Sequence, residues 1–293
     1  MSTATTRPEV QIHKPRPAKG DRWVGGVSHT ALIVWCVLVI APMLWTLLSS
    51  FKTSSEIFAS PFGLPAEWGF TNYVNAWVDS GLGDAFINTI IVVGTALVLV
   101  MMLGSMCAYV LGRFEFPGRR AIYYLMLAGL TFPVFLAIVP LFFVLQNLGL
   151  LGTLPGLIIT YVSFALPFTV FFLYSFFRGL PGEIAEAAAI DGAGEWRTFF
   201  SVMLPMARPG MASVAIFNFL GLWNQFLLPV ALNTDRDNWV LAQVLASFIS
   251  SAGYAVDFGA MFAAAVVTIV PVLVAYILFQ RQLQGSVSAG TMK

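Results

Sequence analysis

Apolar positions along this chain gather into six long runs: Ala31 to Leu48, Phe86 to Leu111, Ala121 to Leu145, Pro155 to Phe177, Gly210 to Leu232 and Phe258 to Gln280. None of the runs contains Asp, Glu, Lys or Arg. At about 1.5 Å per residue, each can cross or nearly cross the ~30 Å hydrocarbon core of a bilayer as a helix. The pattern predicts an all-α, polytopic membrane protein with six transmembrane helices. Residues 1–26, with Pro8, Pro15 and Pro17 among charges, are expected to form a disordered cytoplasmic tail. A six-helix transmembrane domain is expected over 27–285 and a short cytoplasmic tail over 286–293. The first run is longer than the apolar core of a secretory signal and reads as a retained anchor.

Within the runs, Gly104, Ala108 and Gly112 recur every four residues and predict close approach of another helix. Pro42, Pro133, Pro140, Pro167, Pro229 and Pro271 each remove a backbone donor and predict kinks. Between the first two runs, Phe51 to Ala85 carries Trp68, Tyr73 and Trp77, suited to the membrane interface or to docking. Trp239 to Ile249 has helical spacing and is expected to lie along the membrane surface.

Composition agrees with this reading. Only 10% of residues are charged, against roughly 25% in soluble domains, and the mean hydropathy is +0.84. The net charge of +1 conceals an asymmetry: with the N-terminus inside, 13 basic residues face the cytoplasm and 2, Lys52 and Arg236, face outward. Because positive charges resist translocation, the expected orientation is N-in and C-in.

The spans also limit the chemistry. They contain no ionisable side chain to relay protons, and His13 and His29 lie outside the runs. Cys36 and Cys107 fall inside runs and read as buried apolar side chains. No phosphate-cradling GxxxxGK[ST] loop is present, and the spans hold no carboxylate pair or metal-ligand cluster for an intramembrane enzyme. Transport energy is therefore expected to arrive by contact with another protein. A secondary transporter coupling sodium through unwound backbone is the rival.

The polar stretch 179–209, between the fourth and fifth runs, has a legible design. Pro181 suits a first helical turn, Glu183 and Glu186 lie near the positive end of a helix dipole, and Ala185, Ala187, Ala188 and Ala189 favour a smooth short helix. Gly192 is placed to end that helix in a left-handed conformation, and Gly194 precedes a second helical pattern, Glu195 to Met203. Pro205 and Pro209 break the chain before the fifth run. Two short helices meeting at a glycine bend make a knob suited to a cleft on a partner.

Glu186-Ala187-Ala188 is followed at fixed spacing by Gly192, Val202, Leu204 and Pro205, with Asp191 and Ala193 flanking the glycine. This resembles the loop signature of permease subunits from type I, binding-protein-dependent ABC importers; only Val202, where isoleucine is commoner, departs from it. Further landmarks resemble the carbohydrate branch and the shorter maltose permease subunit. These are Ser50-Phe51-Lys52, Asn72-Tyr73, Phe86-Ile87-Asn88-Thr89, Arg113 to Arg119, Trp223-Asn224-Gln225-Phe226 with Pro229, and Phe279-Gln280-Arg281.

The resemblance implies a type I ABC importer permease fold in a prokaryotic plasma or inner membrane. It implies a loop that docks on an ATPase through Glu186, Ala187, Ala188, Gly192, Leu204 and Pro205, with Glu183, Asp191 and Ala193 contributing. The implied partners are a second permease subunit, two ATPase subunits carrying ATP and Mg, an extracytoplasmic solute-binding protein, a sugar substrate and membrane lipid. No nucleic acid partner, no cofactor bound by this chain and no enzymatic activity are expected. Glycerol phosphate or a polyol is the alternative substrate. Asn218, Trp223, Asn224 and Gln225 combine amides with an aromatic face and are candidates for the substrate path, with Thr160, Tyr161 and Ser163 behind them. The competing role for these amides is bonding between helices.

Overall fold

The computed structural model describes residues 19–250 and 256–289, and all regular structure within them is helical. Of the expected N-terminal tail, residues 1–18 lie outside the described residues; its last part is already helix α1 (Lys19–Ser49). The expected C-terminal tail is likewise shortened, because the last helix runs to Ala289 and only 290–293 lie outside.

After α1 come two short outer helices, α2 (Ser54–Ala59) and α3 (Thr71–Val74), the latter running into a π-helical turn over Asn75–Asp79. The long helix α4 (Leu82–Arg113) follows, then α5 (Arg119–Thr131), α6 (Val134–Asn147) and α7 (Leu154–Gly179). The knob comprises α8 (Gly182–Ile190), α9 (Glu195–Thr198), a π turn and α10 (Leu204–Met206). The chain closes with α11 (Arg208–Trp223), α12 (Leu227–Leu232), α13 (Leu241–Ser250) and α14 (Phe258–Ala289).

Four of the six apolar runs form unbroken helices of spanning length, over Gly26–Ser49, Leu82–Arg113, Leu154–Gly179 and Phe258–Gln280. The other two do not. Ala121 to Leu145, expected as one span, is split into α5 and α6, which meet at 106°. Pro133 explains the break: the residue before a proline is pushed out of the helical region, and Phe132 is extended at φ −72°, ψ 122°. Each half is about 20 Å long, short of a full crossing. The run Gly210 to Leu232 is interrupted at Asn224–Phe226, between α11 and α12. Asn224 caps α11, its Nδ2 donating to the Leu220 carbonyl at 2.8 Å, while Pro229 fits the first turn of the next helix. A further bend of 78° separates the knob from α11. Pro42, Pro140, Pro167 and Pro271 sit within continuous helices, so of the prolines expected to kink spans only Pro133 lies at a sharp break.

The centre of the fold is the pair α4 and α7. A Cβ added at Gly104 would stand 2.5 Å from Thr169 Cγ2, and one at Gly112 would touch the backbone of α7 at Arg178 N, 3.5 Å away. The small-residue stripe therefore lets α4 lie directly on α7. Two apolar cores line this pair. One gathers Leu82, Val92, Tyr161, Trp223 and Leu228 toward the outer helices; the other gathers Val100, Tyr109, Leu173, Phe177 and Met203 toward the knob.

By contrast, α1 packs mainly along α14, and apolar side chains along it, including Leu32 and Trp35, are exposed. Cys36, expected to be buried, lies on this exposed surface, and Cys107 is half-buried. The stretch expected to lie along the membrane surface forms helix α13, which packs through buried Leu241 and Val244 against α4 and α14, and the Leu241 N–H donates to Thr89 Oγ1 at 2.9 Å.

Candidate coupling surface and substrate path

The knob starts where α7 ends. Leu180 is extended and Pro181 caps α8 with φ −56°, ψ 136°. Gly192 adopts φ +76°, its N–H donates to the Ala189 carbonyl and the Ala193 N–H donates to the Ala188 carbonyl at 2.9 Å. This left-handed closure satisfies the end of α8 and turns the chain toward α9, as the spacing predicts. The second helical segment is α-helical only to Thr198 and continues as a π turn over Phe199–Met203.

Burial divides the candidate residues into two groups. Glu183, Glu186, Ala187, Asp191 and Gly192 are exposed, so the acidic and small side chains face outward. Ala188 is buried, Ala193 and Pro205 are half-buried, and half-buried Val202 and Leu204 pack onto the apolar core below. The spacing thus divides the knob in two: one set of residues makes the outer surface and the other seats the knob on the bundle.

Two contributors escaped the sequence reading. Arg113, in the last turn of α4, reaches across to the start of α8: Nη1 donates to the Leu180 carbonyl at 2.9 Å and Nη2 to the Pro181 carbonyl at 2.8 Å. A guanidinium fork suits two adjacent carbonyls, and hydrogen bonds from a charged donor are stronger than neutral ones. The second is an exposed apolar group on the knob, Ile190 at 86% and Trp196 at 66% exposure, with Trp196 stacked on Phe200 at 6.0 Å. The signal was an aromatic pair four residues apart on a segment otherwise rich in charge.

Beneath the knob, Tyr109 makes ring contacts with Phe114, Phe177 and Phe199 at 5.0 to 5.6 Å. These rings join α4, α7 and the π turn into one unit.

The candidates for the substrate path separate. Asn218 and Gln225 line a cavity of about 360 Å³ between α5, α7 and α11, together with Tyr161, Phe168 and Phe217. Asn218 is 4% exposed, and its Nδ2 donates to Thr169 Oγ1 at 2.7 Å and contacts Met101 Sδ at 3.6 Å. It therefore also ties α11 to α7 and α4. Trp223 is not brought to this cavity: it is buried against Phe86, and its Nε1 donates to the Thr268 carbonyl of α14 at 3.1 Å. Asn224 is the helix cap described above. Thr160 and Ser163 return their hydroxyls to the carbonyls of Gly156 and Ile159 in their own helix. Among the described residues no group of three or more His, Cys, Asp and Glu side chains is placed to hold a metal ion.

Comparison with known proteins gives this geometry a context. Residues 101–286 match the family described as binding-protein-dependent transport system inner membrane component. The chain is 69% identical over 276 residues to the diacetylchitobiose uptake system permease protein NgcG of Streptomyces coelicolor, covering 94% of this chain and 91% of that one. It is 32% identical to the trehalose transport system permease protein SugB of Mycobacterium tuberculosis, covering 88% and 97%. Among solved structures it is similar to a chain of a bacterial ABC transporter that imports the polysaccharide alginate, with a TM-score of 0.78 and 21% identity over 92% of this chain and 99% of that one. The last likeness shows the fold. A helical chain whose family match runs from within α4 to within α14 and takes in the knob belongs to the binding-protein-dependent inner membrane components, the permease subunits of ABC importers.

Proposed function

We propose that this chain forms half of the translocation pathway of a sugar importer in a prokaryotic plasma membrane, with diacetylchitobiose as its first candidate substrate. The 69% identity to a diacetylchitobiose permease over nearly the whole chain carries the substrate reading. The knob carries the mechanism. Six crossings, with both ends and the knob in the cytoplasm, agree with the distribution of basic residues.

In this reading a second permease subunit completes the path, an extracytoplasmic binding protein delivers the sugar, and two ATPase subunits bind ATP and Mg. The exposed face of α8, with Glu183, Glu186, Ala187, Asp191 and Gly192, docks on an ATPase, while Ala188, Ala193, Leu204 and Pro205 seat it. Closure of the ATPases on ATP pushes α8. The Arg113 fork, the Tyr109 rings and the close α4–α7 packing convert that push into movement of the central helices, and the Asn218–Thr169 bond carries it to α11. The cavity with Asn218, Gln225 and Tyr161 is then opened to one side or the other, offering amide and hydroxyl groups beside aromatic faces to a sugar.

The test is reconstitution of the five-subunit complex in liposomes with ATP inside and labelled diacetylchitobiose outside. Uptake that requires ATP, the binding protein and an intact α8 supports the proposal. Transport by this chain alone without nucleotide would replace it with a secondary transporter, and a binding protein that retains glycerol phosphate or a polyol instead would move the substrate assignment.

A further inference from the structure

We infer that the cleft between the start of α5 and the end of α7 is a binding site for the phosphate headgroup of an anionic phospholipid. The cleft has a volume of about 940 Å³, and its walls include Arg119, Arg120 and Arg178 with Tyr123, Tyr124 and Tyr174. The cations outnumber the acids there: Glu115 is the one carboxylate in the lining, and it pairs with Arg119 at 3.1 Å. Arg120 has no hydrogen-bond or ion-pair partner among the described residues.

The remaining groups are arranged for an anion. Arg178 Nη1 donates to Tyr174 Oη at 3.1 Å, with the guanidinium carbon 5.9 Å from the centre of the Tyr174 ring. With its oxygen accepting from Arg178, Tyr174 keeps its own O–H to donate into the cleft. Tyr123 packs beside Tyr174 at 4.7 Å, the two rings tilted by 43°. Guanidinium forks match phosphate oxygens in pairs, so three of them around one cleft suit a phosphate better than a carboxylate or a neutral ligand.

Position selects lipid over a soluble phosphate. Arg119 and Arg120 open α5 and Arg178 lies in the last turn of α7, so the charges ring the ends of two apolar helices. Beyond the cleft, α5 continues outward with exposed Ile122 and Leu125, an apolar track for an acyl chain. Basic pockets between membrane helices hold lipid headgroups by this combination. The inference rests on the chain spanning a bilayer and not on the coupling reading.

The test uses the assembled complex in nanodiscs of mixed phosphatidylglycerol and phosphatidylcholine, with native mass spectrometry of the lipid retained after extraction. Wild type is expected to retain phosphatidylglycerol preferentially, with about fivefold loss for each guanidinium removed in the Arg119→Gln, Arg120→Gln, Arg178→Gln series. The pair Arg197→Gln, Arg208→Gln, charges on the knob and at its exit, should leave retention unchanged. Should the triple variant fail to insert, Arg120→Gln alone decides, since that side chain has no internal partner to lose. Equal retention by wild type and Arg120→Gln overturns the site. Displacement of phosphatidylglycerol by inorganic phosphate overturns lipid as the occupant, and lipid retained by the two permease subunits alone but absent from the assembled complex assigns the cleft to a protein interface instead.

Discussion

Asn218 Nδ2 lies 2.7 Å from Thr169 Oγ1, so the amide expected to meet substrate is engaged in joining two helices. A buried amide in an apolar bundle is costly without a partner, and here the partner comes from α7. Asn218→Ala should therefore lower stability by about 1 kcal/mol, the scale of interhelical hydrogen bonds in membranes. A double-mutant cycle with Thr169→Val, read by unfolding in bicelles, should recover a coupling of similar size. Zero coupling would mean that the Asn218–Thr169 bond adds nothing to the joint between the helices.

Gly104 faces the same threonine. A methyl group there would meet Thr169 Cγ2 at 2.5 Å, too near for any real contact. Gly104→Ala is expected to cost about 1–3 kcal/mol through displacement of α7. Because Thr169 must move, the effect should be less than additive with Asn218→Ala in the same unfolding assay.

The Arg113 fork makes a separate prediction about coupling. Arg113→Ala removes both bonds to the carbonyls ahead of α8, while Arg113→Lys keeps the charge but loses the paired geometry. Uptake should fall roughly tenfold or more in the alanine variant, equivalent to about 1.4 kcal/mol, with ATPase activity retained. Lysine should restore part of the uptake. Equal loss of ATP hydrolysis and uptake would point to misfolding instead of uncoupling.

Gly192 tests the bend itself. No atom lies within 4 Å of an added Cβ, so crowding is not the obstacle; φ of +76° is. Alanine should cost about 1–2 kcal/mol there, asparagine less, and valine most, since a branched side chain resists the left-handed region. Uptake by the three variants should follow that order. Tryptic nicking of the knob should run the other way.

Trp196 offers a prediction for docking. An exposed tryptophan beside an apolar residue is the usual anchor of a protein interface, and truncating such an anchor costs about 2 kcal/mol or more. Trp196→Ala should weaken binding of the purified ATPase by roughly thirtyfold, measured by fluorescence titration in nanodiscs. Unchanged binding would place the ATPase contact on the acidic face of α8 alone.

Much of this protein was legible in order along the chain. The apolar runs mark the helices because lipid tolerates no unpaired backbone group, so any spanning segment must be both helical and uncharged. The alanines, Gly192 and the flanking prolines specify the knob because each acts through its own backbone. The stripe Gly104, Ala108, Gly112 announced a close helix contact by removing side-chain bulk. All of these are local properties, carried by a residue and its near neighbours.

The tertiary structure decided what depends on a partner distant in sequence. Prolines look alike in a sequence, yet the chain breaks at Pro133 and stays helical through Pro167. Trp223 and Asn218 were both candidates for the substrate path; the packing of α14 and α7 gave them separate interhelical bonds. Lys52, which the charge pattern places only on the outer side, is 1% exposed and donates to the carbonyls of Ser60 and Pro61. Arg113 was one basic residue among many until the fold brought Leu180 and Pro181, 67 and 68 positions away, within reach of its fork. Sequence determined which segments enter the membrane and where the chain must turn, because hydration and backbone conformation are settled residue by residue. Which polar groups bond, and to whom, was settled only when the helices packed.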